Sequence, residues 1–463
     1  MSLLKKGAFL ASARLIEKGC AFTIIVLASR HFGTAGIGEF FYYFSLISLL
    51  IPIMDMGFEK LFIQRWVDPD KIALRSYFGK LIHLKIFVGI VAASIAILSD
   101  LIIRQEEANS LAAIAAFIAI YFDEFAQLFR SPERAQEKVL LETLVPSLSR
   151  ILTLILFLSL QDDLHSGFQL CILYALSNIV GTLISTPALK DCPPLLLKLG
   201  SKKEYLEIIK IGFPFSITSL CVMISFYIDS VMLAWFSLSE VGLYNAAYRI
   251  IVVTAVLSGA LCHNIFPKVV HMKSENNITG IGQLFSSTSR FIIFFFGALA
   301  LGGVAISQQF IPTLYGEEFN DSAILFAILC PLILLAALTN LSGQVLEAMG
   351  RQKYTMRVNI RSALFNITAN LILIPIMGAK GAAISTIATE FITFLSFLYI
   401  IHKDKLLKID LSTMKLSFIL LPIVALLYFP LTLLSVYWAL PLGGLILALF
   451  LVIFRKKLTA GLR

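Results

Sequence analysis

The apolar residues of this chain neither alternate nor recur on one helical face. They run on for about 20 positions at a time, the length a helix needs to cross a bilayer, and then stop at charge, Pro or Gly. A helix that is apolar all round belongs in lipid or in a large core. The pattern predicts fourteen such helices, over residues 8–29, 38–57, 78–98, 110–129, 139–160, 168–189, 208–236, 241–266, 291–307, 323–346, 356–376, 382–401, 416–434 and 437–454. The expected fold is therefore an all-α integral membrane protein.

Charge placement fixes the orientation. Loop Lys and Arg gather on alternate connections, among them Lys60, Arg65, Lys71 and Arg75, then Arg130 and Arg134, then Lys190, Lys198, Lys202 and Lys203, and the tail Arg455, Lys456, Lys457 and Arg463. The opposite loops carry only Arg30, Arg104 and Lys380. The positive-inside rule then puts both termini in the cytoplasm. Residues 1–190 form a first six-helix bundle, 191–204 a cytoplasmic connector and 205–402 a second bundle, and 403–463 carry two extra helices with a basic tail. The short run between Lys6 and Ala11 leaves no room for a signal peptide.

Composition narrows the function. Of 463 residues, 58% are hydrophobic and 14% charged, against roughly 25% charged in soluble domains, and the mean hydropathy is +0.87. Short outer loops leave no space for a soluble catalytic domain, so the chain is not expected to be an enzyme. The formal net charge of +9 comes from basic residues at helix ends, which means topology and not nucleic acid. The six cysteines lack metal-type spacing and read as small core residues. No cofactor or metal is expected.

The halves echo each other. Leu27-Ala28 followed by Gly38-Glu39-Phe40 matches Leu233-Ala234 followed by Gly242-Leu243-Tyr244, and Arg134-Ala135-Gln136-Glu137-Lys138 resembles Gly350-Arg351-Gln352-Lys353-Tyr354. A repeat of six helices preserves direction, so the two bundles are expected to be related by a pseudo-two-fold along the membrane normal, as in transporters that bind near the midplane.

Ionisable groups at bilayer depth cost about 2.5–3.5 kcal/mol or more unless wet or paired, and each needs a reason. Arg14, Glu17 and Lys18 share one face of the first helix, as cytoplasmic snorkelling residues or as cavity lining. Asp229 and Arg249 fall at roughly equal depth on the seventh and eighth helices, where they form either an ion pair or an outer gate that releases Arg249 to an anion. Tyr227, Tyr244, Asn245 and Tyr248 add hydrogen-bonding groups of the kind sugars need. Arg150 and Glu390 sit near mid-span, and Glu390 is the candidate coupling residue for protons or Na+. Lys85 with Asp123 or Glu124, and Arg361 with Glu347, read as structural pairs. Pro52, Pro146, Pro214 and Pro331 are candidate bending points.

The stretch Gly212-Phe213-Pro214-Phe215 through Tyr227-Ile228-Asp229-Ser230 to Glu240-Val241-Gly242-Leu243-Tyr244-Asn245-Ala246-Ala247-Tyr248-Arg249, with Phe266-Pro267, Leu314-Tyr315-Gly316 and Met377-Gly378-Ala379-Lys380-Gly381, resembles the polysaccharide transporter family. These are the O-antigen and related lipid-linked oligosaccharide flippases of the multidrug/oligosaccharidyl-lipid/polysaccharide exporter superfamily. The resemblance implies two six-helix bundles around a cavity that opens to either side in turn. It also implies a glycan on undecaprenyl pyrophosphate as substrate, moved outward across the bacterial inner membrane beside membrane lipid and other polysaccharide-assembly proteins. Arg14, Lys18, Arg150, Arg249, Tyr248 and Asn245 are then the substrate-binding candidates, and Asp229, Glu390 and Glu17 the gate or coupling candidates. A cation-coupled multidrug antiporter of the same superfamily, or a membrane polysaccharide polymerase or ligase, is the alternative. The antiporter should favour acidic cavity groups, and the polymerase or ligase needs larger outer loops.

Overall fold

The computed structural model describes residues 3–68, 70–136, 138, 140–195, 199–263, 265–403 and 415–458. Lys198 of the expected connector and Arg463 of the tail lie outside them. The described residues are mostly helical with no strand, and they contain eleven helices long and apolar enough to cross a membrane. The number is twelve when the bent pair Lys202–Ile217 and Ser219–Leu233 counts as one span. The chain is a multi-pass membrane protein.

Two features separate twelve from the fourteen expected. The first two predicted spans, 8–29 and 38–57, share the continuous element α1 (Leu3–Ser48), which is two helices joined at Gly33, with φ 67° and ψ −171°, inside the predicted 30–37 connection. A side chain is strained in that backbone region, and glycine is not. The thirteenth predicted span is a shorter apolar helix, Ile419–Leu433.

The chain divides into two compact units, Met1–Gly242 and Leu243–Arg463. The first contains α1, α2 (Ile51–Asp55), α3 (Phe58–Arg65), α4 (Lys71–Arg104), α5 (Ser110–Phe129), α6 (Ser131–Ala135), α7 (Leu140–Leu160), α8 (Gly167–Ser185), α9 (Lys202–Leu233) and the opening residues of α10 (Leu238–His263). The division falls later than the connector at 191–204, because α9 packs on α1 and α2. The second unit contains the rest of α10, α11 (Ile265–Ser274), α12 (Ile278–Tyr315), α13 (Asn320–Leu329), α14 (Pro331–Ala348), α15 (Gln352–Met377), α16 (Ala379–Lys403), α17 (Lys415–Tyr428) and α18 (Val436–Leu458). There Phe294 and Ala298 of α12 form a buried core with Leu420, Val424 and Tyr428 of α17 and Ala439 and Leu447 of α18, so the last two helices dock on α12.

Of the predicted bending prolines, Pro214 lies inside α9 just before its 47° bend, where it removes one rung of the backbone ladder. Pro146 also lies inside its helix, α7. Pro52 and Pro331 instead open α2 and α14, positions where the missing N–H costs nothing.

The repeated glycines explain one helix crossing of the first unit. A Cβ on Gly38 would overlap the Leu238 carbonyl, and a Cβ on Gly242 would overlap the Thr34 carbonyl. The contact is reciprocal, each glycine meeting the residue four before the other, with Thr34 Oγ1 donating to Ser239 Oγ at 3.3 Å. Small residues allow such close backbone approach in lipid. Two residues before Gly38, the Gly36 carbonyl meets Gly167, and the Glu39 carboxylate accepts the Phe168 N–H at 3.2 Å, supporting the N-terminus of α8 as a negative group should.

Asp100 pins the loop between α4 and α5. It is fully buried and accepts from Tyr42 Oη at 3.0 Å, from Tyr43 Oη at 3.5 Å and from the Asn109 N–H at 3.1 Å.

Two outcomes follow for the purified, detergent-solubilised chain, read by thermal unfolding on size exclusion. Gly33→Val should destabilise it by about 1–3 kcal/mol through backbone strain alone; an unchanged melting curve would mean that the break does not need glycine. Asp100→Leu should cost about 1–3 kcal/mol by stranding buried donors, with Asp100→Asn losing less because it still accepts.

Candidate functional site

Two hydrogen bonds set the register of α1 against α7. Ser147 Oγ donates to the Ala13 carbonyl at 2.9 Å, and His31 Nε2 meets the Leu164 carbonyl at 2.8 Å. The sequence offsets are 134 and 133, so the two helices run parallel and in step. Residue 150 therefore lies level with residues 16 and 17. Arg14, Lys18 and Arg150 fall within four helical residues of one another in depth, about 6 Å along the axis.

Glu17 can neutralise one of its neighbours, and it takes Lys18, at 3.0 Å. Arg14 and Lys18 are exposed and Glu17 is half-buried. Arg150 stacks its guanidinium over the Tyr174 ring of α8 at 4.8 Å, and its buried Nη1 has no hydrogen-bond partner among the described residues. Tyr174 is itself braced by the rings of Phe40 and Phe44. Among the described residues no carboxylate lies within ion-pair distance of Arg14 or Arg150. The band thus carries two uncompensated positive charges beside a neutral Glu17–Lys18 pair.

Several other basic residues of the first unit are neutralised by carboxylates. Arg134 pairs with Glu59 and, at 2.8 Å, with Glu142, while Arg130 reaches Glu142 at 3.3 Å and Ser185 Oγ at 3.2 Å. Lys80 pairs with Glu204. Lys85 takes Glu124 at 3.7 Å, as the sequence suggests, and also Asp55 at 3.8 Å. Arg361 and Glu347 form no ion pair among the described residues; the Thr355 side chain lies beside Glu347 instead. Asp229 is buried on α9.

In the second unit, Tyr244, Asn245 and Tyr248 are buried on α10. Tyr244 and Tyr248 stack at 5.4 Å, and Tyr244 Oη lies 3.1 Å from Thr386 Oγ1 of α16. Arg249 carries its charge toward buried Tyr315 of α12, whose hydroxyl has no hydrogen-bond partner among the described residues. Glu390 is on α16 with the Thr339 side chain of α14 alongside.

Sequence reasoning missed a polar seam next to Glu390. Ser362 and Thr393 hydroxyls meet at 2.6 Å, Asn366 Nδ2 donates to Thr389 Oγ1 at 3.4 Å, and Asn370 Nδ2 donates to Asn366 Oδ1 at 3.3 Å. The signal was present in the i, i+4 spacing of Asn366 and Asn370 and the i, i+3, i+7 spacing of Thr386, Thr389 and Thr393, which puts each set on one face. Uncharged polar residues are cheap enough in lipid to pass unremarked beside arginines. The cysteines are all free, with Cys171, Cys192, Cys262 and Cys330 buried.

Comparison with known proteins places this arrangement. A low-salt glycan biosynthesis flippase described as probable, Agl15 of Haloferax volcanii, is 24% identical over 405 residues, spanning 83% of this chain and 80% of that one. The lipopolysaccharide biosynthesis protein WzxC of Escherichia coli K12 is 27% identical over 162 residues, 35% of this chain and 32% of its own length. In fold the chain is similar to the lipid II flippase MurJ in an inward closed conformation, with a TM-score of 0.78 and 14% identity over 96% of this chain and 99% of that one. It is also similar to an inward-facing multidrug resistance MATE family transporter, with a TM-score of 0.67 and 16% identity over 85% of this chain and 95% of that one. The family model described as polysaccharide biosynthesis protein matches residues 3–273. Since that match takes in more than half of the sequence, the chain belongs to this polysaccharide biosynthesis protein family.

Proposed function

We propose that the chain is a flippase for a glycan carried on undecaprenyl pyrophosphate, an O-antigen-type repeat unit. It would move this unit from the cytoplasmic to the periplasmic leaflet of the bacterial inner membrane by alternating access, through fourteen helices and without covalent chemistry. The observation that carries the reading is the band of Arg14, Lys18 and Arg150, with its two uncompensated charges at one depth. A charge left uncompensated at that depth is retained for a ligand of opposite sign. A pyrophosphate supplies that sign twice over, and the planar guanidinium forks of Arg14 and Arg150 match its oxygens bidentately.

The physics of the cargo fits. The polyprenyl tail is at home in lipid, while the pyrophosphate and hydrated sugars need a polar route. Transfer of an anion outward down an inside-negative potential gains about 2.3 kcal/mol per charge per 100 mV. Family membership and the glycan flippases among the relatives point the same way. A multidrug cation antiporter shares the fold, but a positive band repels a cationic drug. The test is surface glycan in a strain whose own copy is deleted, at matched protein levels. Arg150→Ala should reduce export about 10- to 100-fold, the worth of one charge-assisted hydrogen bond, and Arg150→Lys should retain part of it. Wild-type glycan on Arg150→Ala cells would remove this residue from the site.

A further inference from the structure

Lys85 is the most deeply placed cation of the first unit, with 0% of its surface exposed. Its ammonium sits between two carboxylates, Glu124 of α5 at 3.7 Å and Asp55 of α2 at 3.8 Å. Both distances exceed the 2.7–2.9 Å of a charge-assisted hydrogen bond, and Lys85 Nζ has no hydrogen-bond partner among the described residues. One ammonium and two carboxylates leave one negative charge in excess, in a place where an unbalanced charge is expensive. One proton balances it. Because the ammonium already occupies the space between the oxygens, a metal ion has no seat there.

The cluster has a way in and a way out. Glu124 is 8% exposed, whereas the Asp55 side chain is 33% exposed, so Asp55 is the port and Glu124 the interior acceptor. Asp55 also ends α2 and holds the break before α3, where its Oδ2 accepts the Gly57 N–H at 3.2 Å. In that break Met56 has φ 44° and Gly57 φ 70°, a conformation that Met56 holds against its own preference. The break presses on the inner half of bent α9. A Cβ on Gly212 would overlap the Met56 carbonyl, a Cβ on Gly57 would sit 3.1 Å from Phe215, and Lys60 lies over the Phe215 ring at 5.4 Å.

We propose that Asp55, Lys85 and Glu124 form an exchangeable-proton site that controls the α2–α3 break and, through it, the inner half of α9. Resting on the flippase reading above, it gives that transport cycle its coupling proton. In the deprotonated state Glu124 competes for Lys85, which leaves Asp55 on the Gly57 N–H. With the proton on Glu124, Lys85 turns to Asp55 as a neutral pair and draws it toward α4 and away from Gly57.

The other charged groups facing the cluster are accounted for. Glu59 of α3 is held by Arg134, and Glu142 of α7 by Arg130 and Arg134. Asp123 is on α5 beside Glu124, Tyr121 donates to the Lys85 carbonyl at 2.9 Å, and His83 of α4 faces Tyr205 of α9 at 2.9 Å. From α8, Asn178 and Thr182 donate to backbone carbonyls of α5. Among the described residues Lys85 is the one cation within ion-pair distance of Glu124.

Trp66 caps α3, with its ring against Phe62 and the Lys71 ammonium 5.2 Å from it, and so reports movement of the break. The experiment is a pH titration of Trp66 fluorescence in the full chain carrying Trp235→Phe and Trp438→Phe, in nanodiscs and with no glycan present. The expected result is a one-proton transition that Glu124→Gln abolishes, fixing the signal at its acid-end value. Asp55→Asn, on a half-exposed side chain that folding tolerates, should abolish it too, while Asp123→Asn and His83→Gln leave it in place. The proposal is overturned by a flat titration of the parent, by a transition that survives both Glu124→Gln and Asp55→Asn, by one that vanishes with His83→Gln, or by one that follows sodium at constant pH. A flat titration in a chain that still supports surface glycan would sink the proton site and leave the flippase standing. An intact titration in a chain that exports no glycan would do the reverse.

Discussion

A charge carried into hydrocarbon must be neutralised, wetted or reserved for something that comes and goes, and this constraint sorts the ionisable residues of the first unit. Arg130 and Arg134 share Glu142 and Glu59, Lys80 has Glu204, and Asp100 is surrounded by hydroxyl and amide donors. These groups tie helices together and are saturated. Arg150 differs because its nearest companion is an aromatic face. A tyrosine ring steadies a guanidinium without quenching its charge, which leaves the fork free to bind oxygen.

Backbone proximity supplies the second constraint. Without a hydrophobic force between helices in lipid, association depends on close packing, and the first unit obtains it from glycines placed against carbonyls. At the Gly38 and Gly242 crossing each glycine meets the residue four before the other. Larger side chains at either position would separate these helices and disturb Glu39, which reaches α8 from the neighbouring turn.

Much of the helical layout was legible from long apolar runs and from charge at their ends, because lipid imposes the same length on every crossing. The connection between the first two spans was legible as well, because Arg30, His31 and the glycines of residues 30–37 interrupt the apolar run where α1 breaks at Gly33. The short Ile419–Leu433 helix was not distinguishable from a full crossing by composition. For the charged groups, sequence spacing put Glu17 between Arg14 and Lys18 but could not choose its partner, which depends on rotamers. It found Lys85 and Glu124 by depth, yet missed Asp55, which reaches Lys85 only because α2 ends where it does. The level of Arg150 beside Glu17 required the register of two helices more than a hundred residues apart, and that is tertiary information.

That same pairing governs how the chain is made. Parallel neighbours cannot form a hairpin, so α1 enters the bilayer and waits while the segments before α7 are synthesised. With a separation of 134 residues and translation at about 5–20 residues per second, the wait is on the order of ten seconds. During it, Arg14 and Lys18 stand in the membrane with Glu17 as their one neighbouring counter-charge and no Ser147 to anchor the turn. Glu17 therefore serves the nascent helix before it serves the finished protein.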